Sequence, residues 1–135
     1  QPFTLGGKRN CTFDPAHPGL AAVSRHPLFL ALALWSGTHL LPNGDLAHVI
    51  LFGSFLVMAL AAIPAFDARA RRSLGPAAGA FFDRTAILSL APLTRATWLR
   101  ANAGGLAIRV SIGLALWLCL LLLHGLVIGV SPFPA

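Results

Sequence analysis

The side chains in this chain best suited to chemistry are histidines embedded in apolar sequence. The stretch "RHPLFLALALWSGTHLLPNGDLAHVILFG", residues 25–53, carries His26, His39 and His48 around an Asn43-Gly44-Asp45 turn, and His124 lies in a later apolar run. Neutral imidazole is a common metal ligand, and its protonation falls near physiological pH. On one helix the 13 residues from His26 to His39 would span about 19.5 Å and about 220° of rotation. These two therefore cannot share a metal. His26, next to Arg25, reads as a helix-start residue bonding to backbone or lipid headgroups. His39, His48 and His124 are expected toward the opposite end of a helix bundle, where they could ligate a haem iron or another metal. The alternative is that they are interfacial histidines satisfied by water, lipid or the turn. Ser36, close before His39, could bond its ring or a bound group, and Trp35 on the same stripe could pack on a porphyrin face. No HExxH, CxxC, CxxCH, P-loop or GxSxG pattern occurs.

The elements that must position these residues are membrane helices. The chain is 56% hydrophobic and only 10% charged, whereas soluble domains carry about a quarter charged residues. Leu46–Phe66 and Ile108–Val130 are apolar runs long enough to cross a hydrocarbon core of about 30 Å, and Leu28–Leu41 suits a shorter or tilted span. We expect an all-α, polytopic transmembrane helix bundle with three membrane helices, at about 27–41, 46–66 and 107–130. Residues 67–106 would form a cytoplasmic loop with an interfacial amphipathic segment, and residues 1–24 an irregular polar lead-in. Pro27 suits the first helical turn because its missing N–H would be unsatisfied there anyway. Pro42-Asn43-Gly44 stops the first helix, and Asp45 caps the second, which makes an antiparallel hairpin. The second helix should stop at Asp67-Ala68-Arg69, with its last turn loosened by Pro64.

The net charge of +6 is concentrated between the second and third apolar runs and at the very start of the third, in Arg69, Arg71, Arg72, Arg84, Arg95, Arg100 and Arg109. That is the positive-inside signature. It argues against nucleic-acid binding and puts residues 67–107 and Arg25 in the cytoplasm. The 43–45 turn and the tail 131–135 then face the periplasm. Arg69, Arg71 and Arg72 read as topology determinants with Asp67 as their ion-pair partner, and Trp98 is expected at headgroup depth. Cys11 and Cys119 are not expected to pair, and Cys119 reads as a packing residue.

Residues 25–60 resemble the most characteristic segment of the NnrU family of bacterial membrane proteins. The matching features are Arg25-His26-Pro27, an apolar run, Trp35, His39, Asn43-Gly44-Asp45 and a helix containing Phe52-Gly53. "AILSLAPLTRAT" and "HGLVIGVSPFP" are also similar to the family's C-terminal part. The resemblance implies a multi-pass protein of the bacterial inner membrane, linked to nitric oxide metabolism and denitrification. It also implies a relation to zeta-carotene isomerase, which binds haem b. In that relative the histidine matching His39 is a haem ligand, and a cysteine near it can take part in ligation. Ser36 stands at that cysteine's position, so a thiolate ligand swap is unavailable. The relative's other histidine ligand belongs to an N-terminal helix, which leaves His124 or His48 as the second ligand within this chain. Expected partners are the lipid bilayer and either further N-terminal helices or another membrane subunit. A haem b protein, a carotenoid isomerase and a cofactor-free structural subunit are the three functions the sequence leaves open.

Overall fold

The computed structural model describes residues 13–133, so Cys11 and the terminal Pro134-Ala135 lie outside the described residues. All regular structure among the described residues is helical. Four α-helices follow in order, α1 (Pro27–Leu40), α2 (Leu46–Leu74), α3 (Ala78–Arg84) and α4 (Ala96–Ile128), with short 3₁₀ turns at Gly19–Ala22, Gly75–Ala77 and Ala91–Thr94. The chain divides after Thr94 into two units.

In the first unit, α1 and α2 form the expected antiparallel hairpin. Pro27 occupies the first turn of α1. The hydroxyls of Ser36 and Thr38 donate back to the carbonyls of Leu32 and Leu34, at 2.7 and 2.9 Å, so neither needs water inside an apolar helix. Beyond Leu40, Asn43 Nδ2 donates to the His39 carbonyl at 2.8 Å. The Asp45 carboxylate then accepts from the backbone N–H of His48 at 3.2 Å and caps α2. Phe29 meets Phe66 at a ring-centroid distance of 5.0 Å, and Trp35 meets Phe55 at 5.9 Å and Phe52 at 5.2 Å. Ser36 and Ala59 are fully buried. Small side chains of this kind let helix backbones approach closely. Leu34, Val57 and Leu60 remain exposed, which suits helices whose outer face meets lipid rather than water.

α2 differs from expectation in length. It passes through Pro64 and Asp67 without a break and ends at Leu74 rather than near Phe66, where Gly75 turns to φ +54°. Its 29 residues rise about 44 Å, longer than a hydrocarbon core of about 30 Å. Nor is 67–106 a single loop, since it contains the end of α2, α3 and the start of α4. The lead-in, where it is described, is tied down as well. Arg25 N donates to Ala86 O (2.8 Å), Ala86 N to Ala21 O (3.1 Å) and Ser89 N to Val23 O (2.8 Å). Ala21 is buried as a result.

The second unit is built on α4. It starts at Ala96 rather than near residue 107, runs through Gly104-Gly105, and ends where Gly129 adopts φ +84°. Two of its polar side chains bond back to their own helix. Asn102 Nδ2 donates to Trp98 O and Arg109 Nη1 to Gly105 O, each at 2.9 Å. The α2 segment and α4 are long and apolar enough to cross a membrane, while α1 is a shorter apolar helix. The chain is an all-α membrane protein.

Candidate functional site

The hairpin gathers its polar side chains at its two ends. At the turn end, α1 presents Trp35 and His39 on one stripe, four residues apart, as successive helical turns require. α2 brings Phe52 against them from the facing helix. The rings of His39, Trp35 and Phe52 are mutually in contact, with centroids 5.0 Å apart for His39–Trp35, 4.9 Å for His39–Phe52 and 5.2 Å for Trp35–Phe52. His48, one turn before Phe52 on α2, stacks on the same phenyl ring at 5.9 Å. Trp35, His39 and His48 are thus brought together, and Phe52 is the member of the cluster that sequence reasoning missed. The sequence places it four residues after His48 and within the family-like segment as Phe52-Gly53, without marking it as a site residue.

Hydrogen bonding fixes which nitrogen each histidine offers. His39 Nδ1 lies 2.7 Å from the Trp35 carbonyl oxygen. A carbonyl can only accept, so Nδ1 carries the proton and Nε2 keeps its lone pair in the neutral ring. His48 Nδ1 bonds the Asp45 carboxylate, with the same consequence. His124, in the second unit, repeats the pattern with Nδ1 2.7 Å from Val130 O. No described residue bonds the Nε2 of any of the three. Metal-ligating histidines characteristically bond an oxygen acceptor through the other ring nitrogen. The hydrogen bond from the His48 ring, followed by that from the His48 backbone N–H, holds the Asp45 carboxyl below its ordinary range.

Ser36 does not belong to this set. Its hydroxyl was expected to reach the His39 ring or a bound group, but it is fully buried and donates to Leu32 O. An apolar helix offers a hydroxyl no nearer acceptor than its own preceding turn.

The base end of the hairpin is a different kind of cluster. Arg25 Nε and Nη2 donate to the two oxygens of Asp67 at 2.9 and 2.7 Å, and Arg25 Nη1 donates to Thr85 O at 3.2 Å. His26 Nε2 bonds the same carboxylate at 2.7 Å. Arg25 and His26 are each 11% exposed and Asp67 16%. Two expectations are corrected here. Asp67 pairs with Arg25 and His26 instead of Arg69, Arg71 and Arg72, and His26 bonds a carboxylate instead of backbone or headgroups. The cause is the bidentate fork of Arg25, which approaches from just before α1 and matches both carboxylate oxygens at once. His26 therefore offers the opposite nitrogen from His39 and His48.

Among the described residues, no three His, Cys, Asp or Glu side chains gather as a metal-holding group. The turn-end histidines instead present single nitrogens beside aromatic rings. The family model described as NnrU protein matches residues 5–132 of the chain. No curated protein and no solved structure matches it.

Proposed function

The chain belongs to the NnrU family, and we propose that it is a membrane protein that binds haem b through His39 and serves nitric oxide or denitrification metabolism. The observation that carries the cofactor is the fixed tautomer of His39. Its Nδ1 is committed to Trp35 O, which leaves Nε2 for iron, and Trp35 and Phe52, in contact with the ring and with each other, are aromatic partners for a porphyrin. His48 on α2 is the second ligand we favour, because its Nδ1 is held by Asp45 and it shares Phe52 with His39. His124 has the same tautomer but belongs to the second unit. Haem bound there would supply redox or ligand-binding chemistry at iron, with His39 and His48 as the residues that would hold the metal. The nitric oxide link rests on family membership. The setting we propose is the bacterial inner membrane, with several passes and the base end of the hairpin in the cytoplasm. Further membrane helices or a partner subunit would pack on the exposed apolar faces.

The test is the absorption spectrum of protein purified in detergent from haem-replete cells. A Soret band is expected that is lost in His39→Ala, weakened or shifted in His48→Ala and retained in His26→Ala. If the wild-type protein shows no Soret band, the haem reading fails and the chain is a cofactor-free packing subunit. A haem-loaded protein that converts a cis-carotenoid when reduced would make it an isomerase instead.

A further inference from the structure

The base end of the hairpin contains an arginine that the fold has released from its nearest carboxylate. On α2, Asp67 and Arg71 are four residues apart and only about 40° from one stripe, the ordinary spacing for a helical ion pair. That pair does not form, because Arg25 holds both oxygens of Asp67 and His26 bonds one of them. Arg71 lies instead with its guanidinium carbon 3.8 Å from the centroid of the Phe82 ring on α3. Arg25 lies near the same ring at 4.9 Å, but its nitrogens are committed to Asp67 and Thr85 O. A guanidinium laid on an aromatic face keeps its N–H edge turned outward, with its rotamers already restricted. That is the preparation a bidentate anion contact needs.

The surroundings are also short of negative charge. Of the four carboxylates in the chain, Asp14 is bonded by His17, Asp45 by His48, and Asp67 by Arg25 and His26. Asp83 makes no ion pair among the described residues, and neither do Arg69, Arg71 and Arg72. Arg69 and Arg72 are neighbours on the exposed surface of α2. Three uncompensated guanidinium groups thus leave the helix within about 4.5 Å of axial rise. The carbonyl end of α2 carries a partial negative charge of roughly half a unit, too little to offset them.

Depth identifies the anion. The apolar run of α2 ends at Phe66, so residues 69–72 lie about 5 to 9 Å further along the axis. The headgroup layer is about 5 to 8 Å thick on each side of the hydrocarbon core, which places these arginines at the level of lipid phosphates. A zwitterionic headgroup brings its own cation to such a site, whereas an anionic one does not.

We infer that Arg71, stacked on Phe82 and supported by Arg69 and Arg72, is a binding site for the phosphate of an anionic phospholipid headgroup. The inference requires α2 to cross a bilayer and is independent of haem. Native mass spectrometry of the full chain in detergent, with phosphatidylglycerol and phosphatidylcholine of identical acyl chains in competition, tests it. Wild-type protein should retain phosphatidylglycerol preferentially. Arg71→Gln should reduce that preference about fivefold, the equivalent of about 1 kcal/mol for one basic side chain at the surface. Arg71→Lys should fall between the two, because it keeps the charge but loses the planar fork. Phe82→Leu should weaken the preference with no change in net charge. Equal retention of the two lipids overturns the site. So does an Arg71→Gln effect no larger than that of Arg69→Gln or Arg72→Gln, since that pattern means diffuse charge. Displacement by millimolar inorganic phosphate at matched ionic strength would make free phosphate the ligand and overturn the lipid assignment.

Discussion

The two ends of the α1–α2 hairpin use the same residue types in opposite ways. At the turn, the bonds of His39, His48 and Asp45 join residues three or four apart, and His48 and Asp45 are exposed. At the base, Arg25 and His26 reach Asp67 across 42 and 41 residues, and all three are largely withdrawn from solvent. Local bonds orient a side chain without closing the structure around it, and they leave one imidazole nitrogen available. Long-range bonds between largely desolvated groups engage all three guanidinium nitrogens of Arg25 and lock the two ends of the hairpin's helices together. The turn therefore leaves imidazole nitrogens without a partner among the described residues, and the Asp67 cluster at the base holds the hairpin shut.

The largest effect should come from the base. Asp67→Asn strips the carboxylate from a mostly buried Arg25, and losing one partner of such a pair costs about 3 kcal/mol. Thermal unfolding in detergent should show a large drop in Tm, and a change below about 1 kcal/mol would mean the base is not a lock. Next comes the middle of the hairpin, where Ala59 is fully buried. Ala59→Leu should cost about 2 kcal/mol by overpacking, again read as a lower Tm. An unchanged Tm would mean that the two helices are not in close contact there. The smallest effect is expected at the turn, from acid. The Asp45 carboxyl is held below its ordinary range by His48, so the folded state binds its proton less readily than the unfolded state. Its stabilisation is complete above the unfolded value of about 4 and is lost as the pH falls through the lower folded value. The Tm difference between wild type and Asp45→Asn should accordingly be constant at neutral pH and close only in that acid window. A difference that closes near neutrality instead would assign the effect to another group.

Legibility followed the range of the interactions. The Pro27 start, the Asp45 cap and the Trp35–His39 stripe could be read because each depends on residues within about one turn. The same local habit produced the errors. Asp67 stands beside Arg69, Arg71 and Arg72 in sequence, so it was assigned to them, and a polar Asp-Ala-Arg run after Pro64 looked like a helix end. Once Arg25 and His26 neutralise Asp67 from the neighbouring helix, nothing at that position forces α2 to stop, and it continues until Gly75. Ser36 was misread for a related reason, because spacing shows which side chains share a face but not which acceptor a hydroxyl finds.

The sequence by itself determined that this is an all-α membrane protein with a helical hairpin. Apolar run length, proline and glycine placement and helix caps are local quantities, set by the cost of exposing apolar surface or leaving backbone groups unpaired. Tertiary structure alone decided which arginine takes Asp67, that the Nε2 of His26 is taken by the same carboxylate, and that Arg71 is left on Phe82. Those outcomes are competitions among donors from different helices for few acceptors. Proximity after folding settles them, and order along the chain does not.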